Sequence, residues 1–173
     1  IYDPLHSKAI DYLFLRIRSY APTGVPTPKK DILRQLLTWK REGKFSLSGY
    51  IADQSPKWEN IHLWLPFLNH PETPVFTGAE RIARKINDAV YYVKMTRPRR
   101  GYYDVEYVPI TDDPASLPDG EVTRRFFKML EQSIKEAPAY YLWTHNRWKR
   151  TKEEFDRLYT VENGKVKRRA DNA

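Results

Sequence analysis

Histidine and acidic side chains that lie close together in the sequence are the first candidates for acid–base chemistry. An imidazole that is oriented by a carboxylate can remove a proton from a hydroxyl group. His6 and Asp11 are the nearest such pair at the start of the chain. On a regular helix a separation of five residues turns about 500°, or about 140° net, so the two side chains point to different faces. We therefore predict that this pair is not a catalytic dyad and that His6 is an exposed residue of a first helical turn.

Two arginines and an aspartate are candidates for binding an anionic group. Arg16 and Arg18 carry planar guanidinium groups that suit phosphate or carboxylate. They lie two positions apart, so we expect only one, Arg18, to face a site. Asp53 ends a predicted strand, and side chains at the carboxyl ends of strands in α/β folds often line a site. The alternatives are a solvated helix face and an aspartate that bonds its own turn.

Composition excludes several classes of site. The chain has no cysteine, so disulfides, cysteine-ligated zinc and a cysteine nucleophile are ruled out. Glu59 and His62 could pair, but a metal centre needs more ligands at defined spacing, and we predict no metal and no cofactor. No apolar run is long enough to predict a membrane span. The net charge of +8 favours an acidic partner: nucleic acid, anionic lipid head groups or an acidic carrier protein.

The elements that would position these residues follow from periodicity and capping signals. Helices are predicted over residues 3–20, 27–43, 77–86 and 121–136, with a short helix opened by a capping box at Thr151. Strands are predicted over residues 45–52, 90–96 and 102–110, the last two joined as a hairpin by a basic turn. Residues 54–76 are rich in proline and predict a long loop, and residues 165–173 a disordered tail. The alternation of helices and strands indicates an α/β fold with a mixed sheet flanked by helices.

Four stretches of the sequence together resemble the bacterial lipid A lauroyl/myristoyl acyltransferase family, within the lysophospholipid acyltransferase superfamily. Each is short, but they occur in the order and spacing of the family. They are Ile-Tyr-Asp-Pro-Leu at 1–5 with Arg-Ile-Arg at 16–18; Ile-Ala-Asp-Gln-Ser-Pro at 51–56; Leu-Pro-Phe-Leu at 65–68 with Thr-Gly-Ala-Glu at 77–80; and Ala-Pro-Ala-Tyr-Tyr-Leu-Trp-Thr-His-Asn-Arg-Trp-Lys at 137–149.

The resemblance implies an enzyme that transfers a fatty acyl chain, usually from acyl carrier protein, to a hydroxyl of a lipid A precursor. The family's catalytic motif, a histidine followed after four intervening residues by an aspartate or glutamate, lies upstream of the segment similar to residues 1–5. We therefore expect the carboxyl-terminal two-thirds of such an enzyme, lacking the catalytic histidine and inactive alone. The expected fold is lysophospholipid acyltransferase-like and truncated at its amino end. An acyltransferase domain is expected over residues 1–150, followed by a short helix and basic tail over residues 151–173.

The resemblance also implies roles for particular side chains. Arg18 and Asp53 are predicted to belong to the catalytic, acceptor or oxyanion region. The predicted substrate-binding residues are Arg16, Gln54, Gly78, His145 and Arg147. Glu80 is instead predicted to be a structural capping carboxylate at a helix start.

The expected partners are acyl carrier protein, a lipid A precursor or lysolipid, and an anionic membrane, at the cytoplasmic face of the inner membrane. Trp58 and Trp64 are predicted to sit at the membrane interface, with basic side chains on the head groups. The predicted basic contacts are Arg97, Arg99, Arg100, Arg147, Lys149 and Arg150. One alternative is the same fold acting on another lysolipid or an amino lipid. The other is a nucleic-acid-binding module, suggested by charge and aromatic content, but no nucleic-acid-binding motif is present and nucleic acid is not expected.

Overall fold

The structure, a computed structural model, describes residues 1–20 and 23–169. Two compact units follow one another along the chain, the first over Ile1–Tyr50 and the second from Ile51 onward. In its described residues the first contains two helices, and in the second helices alternate with short strands. The predicted α/β class is confirmed.

The first unit is built around helix α2 (Ile32–Arg41), which buries Ile32 and Leu36. Helix α1 (Lys8–Arg18) precedes it and buries none of its side chains. Both helices begin later than predicted, because neither proline near their predicted starts opens a helix. Tyr2 instead pairs as extended chain, its N–H donating to the Thr27 carbonyl at 3.1 Å and its carbonyl accepting from the Lys29 N–H at 2.9 Å.

The strand predicted over residues 45–52 does not form. Residues 44–52 run without strand pairing, and the side chains of Phe45 and Leu47 are exposed. A strand depends on a hydrogen-bonded neighbour and on burial of one face. The described residues provide neither here, so the local preference for extended structure produces no strand.

The second unit holds the remaining elements. Its strands pair as three antiparallel hairpins within the described residues, β1–β2, β3–β4 and β5–β6, which corrects the expectation of a single mixed sheet. The elements are β1 (Leu63–Phe67), β2 (His70–Val75), α3 (Gly78–Ile86), β3 (Val90–Arg99), β4 (Tyr102–Thr111), α4 (Glu121–Glu136), α5 (Lys152–Leu158), β5 (Tyr159–Glu162) and β6 (Lys165–Arg168).

The proline-rich segment over residues 54–76 is not a continuous loop, because it contains the β1–β2 hairpin. Pro66 lies in β1, and Pro71 and Pro74 lie in β2. Proline cannot donate to a strand ladder and is therefore confined to edge strands. Both strands of a two-stranded hairpin are edges, which is why the prolines are tolerated.

The last described residues also differ from prediction. Strand β6 occupies part of the tail predicted to be disordered over residues 165–173, and residues 170–173 lie outside the described residues. The helix predicted at Thr151 is present, and the Thr151 hydroxyl accepts a hydrogen bond from the Glu154 N–H at 3.2 Å. Trp58 and Trp64 both contact the buried ring of Phe155, so these two indoles take part in packing.

Helix α4 connects two clusters of buried side chains in the second unit. On one side Phe127 packs with the β1–β2 residues Leu65 and Phe67. On the other side Val122 packs with Tyr92 of the β3–β4 hairpin. The apolar face that its periodicity predicted is therefore shared between two hairpins.

The capping box predicted at Thr77 forms a different set of bonds. Thr77 precedes α3, but its side chain makes no capping hydrogen bond. Glu80, only 3% exposed, accepts hydrogen bonds from the Gly120 N–H at 2.8 Å and the Thr123 N–H at 3.0 Å, and also from the Thr123 hydroxyl. Glu80 is a capping carboxylate as predicted, but it caps the start of α4 rather than that of its own helix.

Candidate functional site

Two distant stretches of the second unit meet at the turn that begins with Asp53. The Ser55 N–H donates a hydrogen bond to Nε2 of His145 at 3.0 Å. Oδ2 of Asp53 lies 4.0 Å from an amino nitrogen of Arg147. Three of the predicted site residues, Asp53, His145 and Arg147, therefore come together in space, in the group that we call the Asp53–Arg147 cluster: Asp53, Ser55, Tyr141, His145 and Arg147.

Arg147 is held in a box of aromatic rings. It is 1% exposed, and its Nε donates a hydrogen bond to the Tyr141 hydroxyl at 2.8 Å. Its guanidinium carbon lies 5.1 Å from the ring centre of Phe67, 5.8 Å from that of Phe127 and 5.9 Å from that of Tyr141. Ring faces attract a cation most strongly where water is excluded, so this box orients the guanidinium and stabilises its charge.

The Arg147 guanidinium nevertheless uses only part of its hydrogen-bonding capacity. Neither amino nitrogen of Arg147 has a hydrogen-bond partner among the described residues. Burying an ionised group without its hydrogen bonds is costly, and such groups in native structures call for an explanation. The side chain of Asp53 is 34% exposed, so the one carboxylate close to Arg147 is also accessible to a bound molecule.

The surroundings of His145 in the cluster lower its pKa and so disfavour its charged form. Burial lowers its pKa first, the positive charges of Arg147 and Lys149 lower it further, and Asp53 opposes them. Because Nε2 already accepts the Ser55 N–H, its lone pair is engaged in holding the turn. The arrangement favours a positioning role for His145 over that of a free general base.

Replacing the buried charge should change the titration of this histidine. In an NMR pH titration we expect His145 to titrate below its ordinary pKa of 6.5 and Arg147→Met to raise its pKa toward that value. Because the folded-state pKa lies below the unfolded value, the stabilisation from neutral His145 is full above about pH 6.5 and falls as the pH drops toward the folded pKa. Lys165→Met, the same charge change on β6, should leave the titration unaltered; an unaltered titration in Arg147→Met would contradict the coupling.

Two other predicted substrate-binding residues lie in the second unit, and neither makes a hydrogen bond with a described residue of the cluster. Gln54 follows Asp53 and is exposed, with no hydrogen bond to any described residue. Gly78 opens α3, and a side chain added there would meet open space. Packing therefore does not require glycine at this position, and roles in substrate binding stay predictions for both residues.

Arg16 and Arg18 lie on α1 in the first unit, which is described here by itself. Both are exposed, and the Arg18 guanidinium carbon lies 5.1 Å from the ring centre of Tyr2 and 5.3 Å from that of Phe14. The first unit also contains a cavity of about 590 Å³ beside Trp39. Neither arginine lines this cavity, and their predicted roles stay predictions.

His6 and Asp11 do not form a dyad. His6 precedes α1 instead of lying in its first turn, so its relation to Asp11 is not that of two residues on a regular helix. The Asp11 carboxylate accepts a hydrogen bond from the Leu5 N–H at 3.0 Å. His6 is exposed and has no hydrogen-bond partner in the described part of the chain. That this pair is not catalytic stays a prediction.

The roles of Phe67 and Tyr141 were missed by the sequence analysis, although both lie within the stretches that carried the family resemblance. The same holds for Trp148, which donates to the Thr73 hydroxyl at 2.9 Å and stacks on His70 with ring centres 3.8 Å apart. These contacts pack the last stretch of family resemblance, residues 137–149, against the β1–β2 hairpin. The sequence could have indicated these three residues only by their position in the stretches of family resemblance. What each ring contacts is shown only by the packing.

Among residues 1–20 and 23–169, no group of three or more potential ligands could hold a metal ion. His62 does not pair with Glu59; its pKa is lowered by burial and, to a smaller extent, by the charge of Arg81. No helix in the described part of the chain has the length and apolar character needed to cross a bilayer.

Comparison with known proteins defines the class to which this α/β chain and its cluster belong. A family model for bacterial lipid A biosynthesis acyltransferases matches residues 1–150, which include every predicted site residue. The chain belongs to this family, and the resemblance found in its sequence is confirmed. Among curated proteins, none matched the chain.

Proposed function

We propose that this protein takes part in transferring a fatty acyl chain from acyl carrier protein to a hydroxyl of a lipid A precursor in a Gram-negative bacterium. Its membership of the acyltransferase family supports the reaction class. The observation that carries the assignment of the site is the buried Arg147 guanidinium, with free amino nitrogens and the accessible Asp53 carboxylate beside it. Because the donor is cytosolic and the acceptor a lipid, we place the reaction at the cytoplasmic face of the inner membrane.

In this proposal Asp53 contacts the acceptor and Arg147 acts through Asp53. A carboxylate accepts hydrogen bonds from sugar hydroxyls, and the Asp53 side chain is exposed enough to reach one. Arg147 is 1% exposed, so it is better suited to position Asp53 than to touch the acceptor itself. His145 supports the same turn through the Ser55 N–H. The cluster would thereby hold the acceptor hydroxyl in a fixed orientation for acyl transfer.

The general base is proposed to be none of the four histidines of this chain. No histidine makes an ion pair or hydrogen bond with a carboxylate in residues 1–20 and 23–169. Nε2 of His145 is already occupied, and the His70 ring is stacked on Trp148. A histidine base needs an orienting partner to be effective, so the arrangement supports a chain that cannot by itself activate the acceptor hydroxyl.

The purified 173-residue chain should therefore show no acyl transfer from acyl carrier protein to a lipid A precursor. The measurement is product formation with a radiolabelled acyl donor, with a lysophospholipid as a second acceptor to test the alternative substrate class. Binding of the precursor to the same sample, measured by NMR shifts of residues 53–55, separates an inactive chain from one without an acceptor site. Turnover that disappears in His6→Ala would overturn the proposal and restore His6–Asp11 as the catalytic pair.

A further inference from the structure

The β3–β4 hairpin has one covered face. Tyr92 and Ile110 are buried and pack with Val122 of α4. Lys94 points the same way, and its Nζ lies 2.8 Å from a carboxylate oxygen of Glu136. This inward face therefore has apolar and charged partners within the second unit.

The outward face of the same hairpin is exposed and uncharged. Alternation along the strands places on it the residues Tyr91 at 50% exposure, Val93 at 50%, Met95 at 62%, Val105 at 47% and Tyr107 at 54%. Val93 pairs with Tyr107 and Met95 with Val105 across the two strands, so the apolar surface is continuous. A contiguous exposed patch of this kind marks a surface of interaction.

The tip of the hairpin carries three cations, Arg97, Arg99 and Arg100. The guanidinium carbon of Arg97 lies 5.9 Å from the ring centre of Tyr140, and that of Arg99 lies 3.7 Å from that of Tyr102. None of the three arginines forms an ion pair with a carboxylate of the described residues. The positive charge at the tip is therefore available to an anionic partner.

We propose that the outward face of the β3–β4 hairpin docks on an anionic lipid bilayer, with the arginine tip among the phosphates. Exposed tyrosines together with valine and methionine suit the boundary between head groups and acyl chains. The cations lie together at one end of the apolar outward face. A bilayer, in which charged head groups lie next to an apolar layer, matches this separation better than an acidic protein with dispersed charge. The inference rests on the proposed function only in that the acceptor is a membrane lipid.

A second copy of the chain would complement this surface poorly. The acidic residues of the strands, Asp104 and Glu106, pair in register with Thr96 and Lys94 and therefore project toward the covered side. If two copies of the chain met through their outward faces, neither would offer a carboxylate to the arginines at the tip of the other. Charge complementarity thus selects a lipid surface over self-association.

Co-sedimentation with vesicles tests the proposal without any acyl donor or lipid A precursor, so its outcome is independent of the proposed reaction. Vesicles of phosphatidylglycerol should bind the chain at low salt and those of phosphatidylcholine should not, and added salt should release it. Met95→Glu, and separately the triple change of Arg97, Arg99 and Arg100 to Gln, should each lower binding about tenfold or more.

Matched controls come from the β5–β6 hairpin. Val161→Glu changes a valine of 51% exposure, and changing Lys165, Lys167 and Arg168 to Gln removes the same charge as the tip variant. Both controls should bind within about twofold of the unaltered chain, and circular dichroism should show every variant folded. Equal losses in the controls would overturn the proposal, as would unaltered binding of the tip variant. A dimer in size-exclusion chromatography that only Met95→Glu dissociates would assign the face to self-association instead.

Discussion

Asp53→Ala should lower acyl transfer by about 10²-fold or more in a form of the enzyme that supports turnover, because loss of one positioned polar group typically costs this much. Arg147→Met should give a comparable loss, since the buried guanidinium lies 4.0 Å from this carboxylate and is proposed to position it. The measurement is kcat and KM with a lipid A precursor as acceptor. A lowered kcat would show that the interaction is made in the transition state. A raised KM with unaltered kcat would show that it contributes to substrate binding alone.

The double variant separates direct action from positioning. If Arg147 acts through Asp53, removing both side chains should cost no more than removing Asp53 alone. Arg147→Lys keeps the charge but loses the planar fork, and we expect it to recover only part of the activity. Additive losses in the double variant would show that Arg147 contributes independently of Asp53. Near-unaltered rates in both single variants would assign the pair to structure alone.

Arg18→Ala belongs in the same assay, because Arg18 is predicted to belong to the catalytic, acceptor or oxyanion region. Its guanidinium lies over the rings of Tyr2 and Phe14, so a loss of activity alone could reflect altered packing of α1. Arg18→Lys retains the charge and distinguishes the two causes. A thermal transition equal to that of the unaltered protein, together with lowered turnover, would support the functional role.

Glu80→Ala should lower the free energy of unfolding by about 3 kcal/mol or more. The buried carboxylate accepts bonds from the Gly120 and Thr123 N–H groups and from the Thr123 hydroxyl, all of which would be left without it. For a chain of this size the expected decrease in Tm is about 6–12 °C. Tryptophan fluorescence is a suitable probe, since four of the five tryptophans lie in the second unit.

Three further variants refine this result. Glu80→Gln should lose less than Glu80→Ala, because one carbonyl oxygen still accepts a hydrogen bond. Thr123→Val removes only the hydroxyl donor and should cost about 1 kcal/mol. Glu59→Ala removes an exposed carboxylate and should change stability by no more than about 0.5 kcal/mol. A Glu80→Ala transition as high as that of Glu59→Ala would show that the start of α4 does not depend on this carboxylate.

Local patterns in the sequence determined several elements by themselves. The helix over residues 121–136 was predicted with the bounds that the structure shows, because its 3.6-residue periodicity is a local property. The β3–β4 hairpin and the capping bond at Thr151 were likewise predicted, since a turn or a cap involves residues a few positions apart. The family resemblance similarly selected the stretches that contain Asp53, His145 and Arg147.

The tertiary structure alone decided which of these local features meet. Ser55 and His145 are 90 positions apart, and no spacing rule relates them. The same is true of Glu80, whose capping pattern predicted bonds within α3 but whose carboxylate stabilises α4 across 43 positions. Arg147 could be recognised as a charged residue in a motif, yet its burial among three rings depends on how the last stretch of family resemblance packs against the β1–β2 hairpin and α4. Local preference sets helices, turns and caps, whereas burial and long-range hydrogen bonds arise only when separate elements pack together.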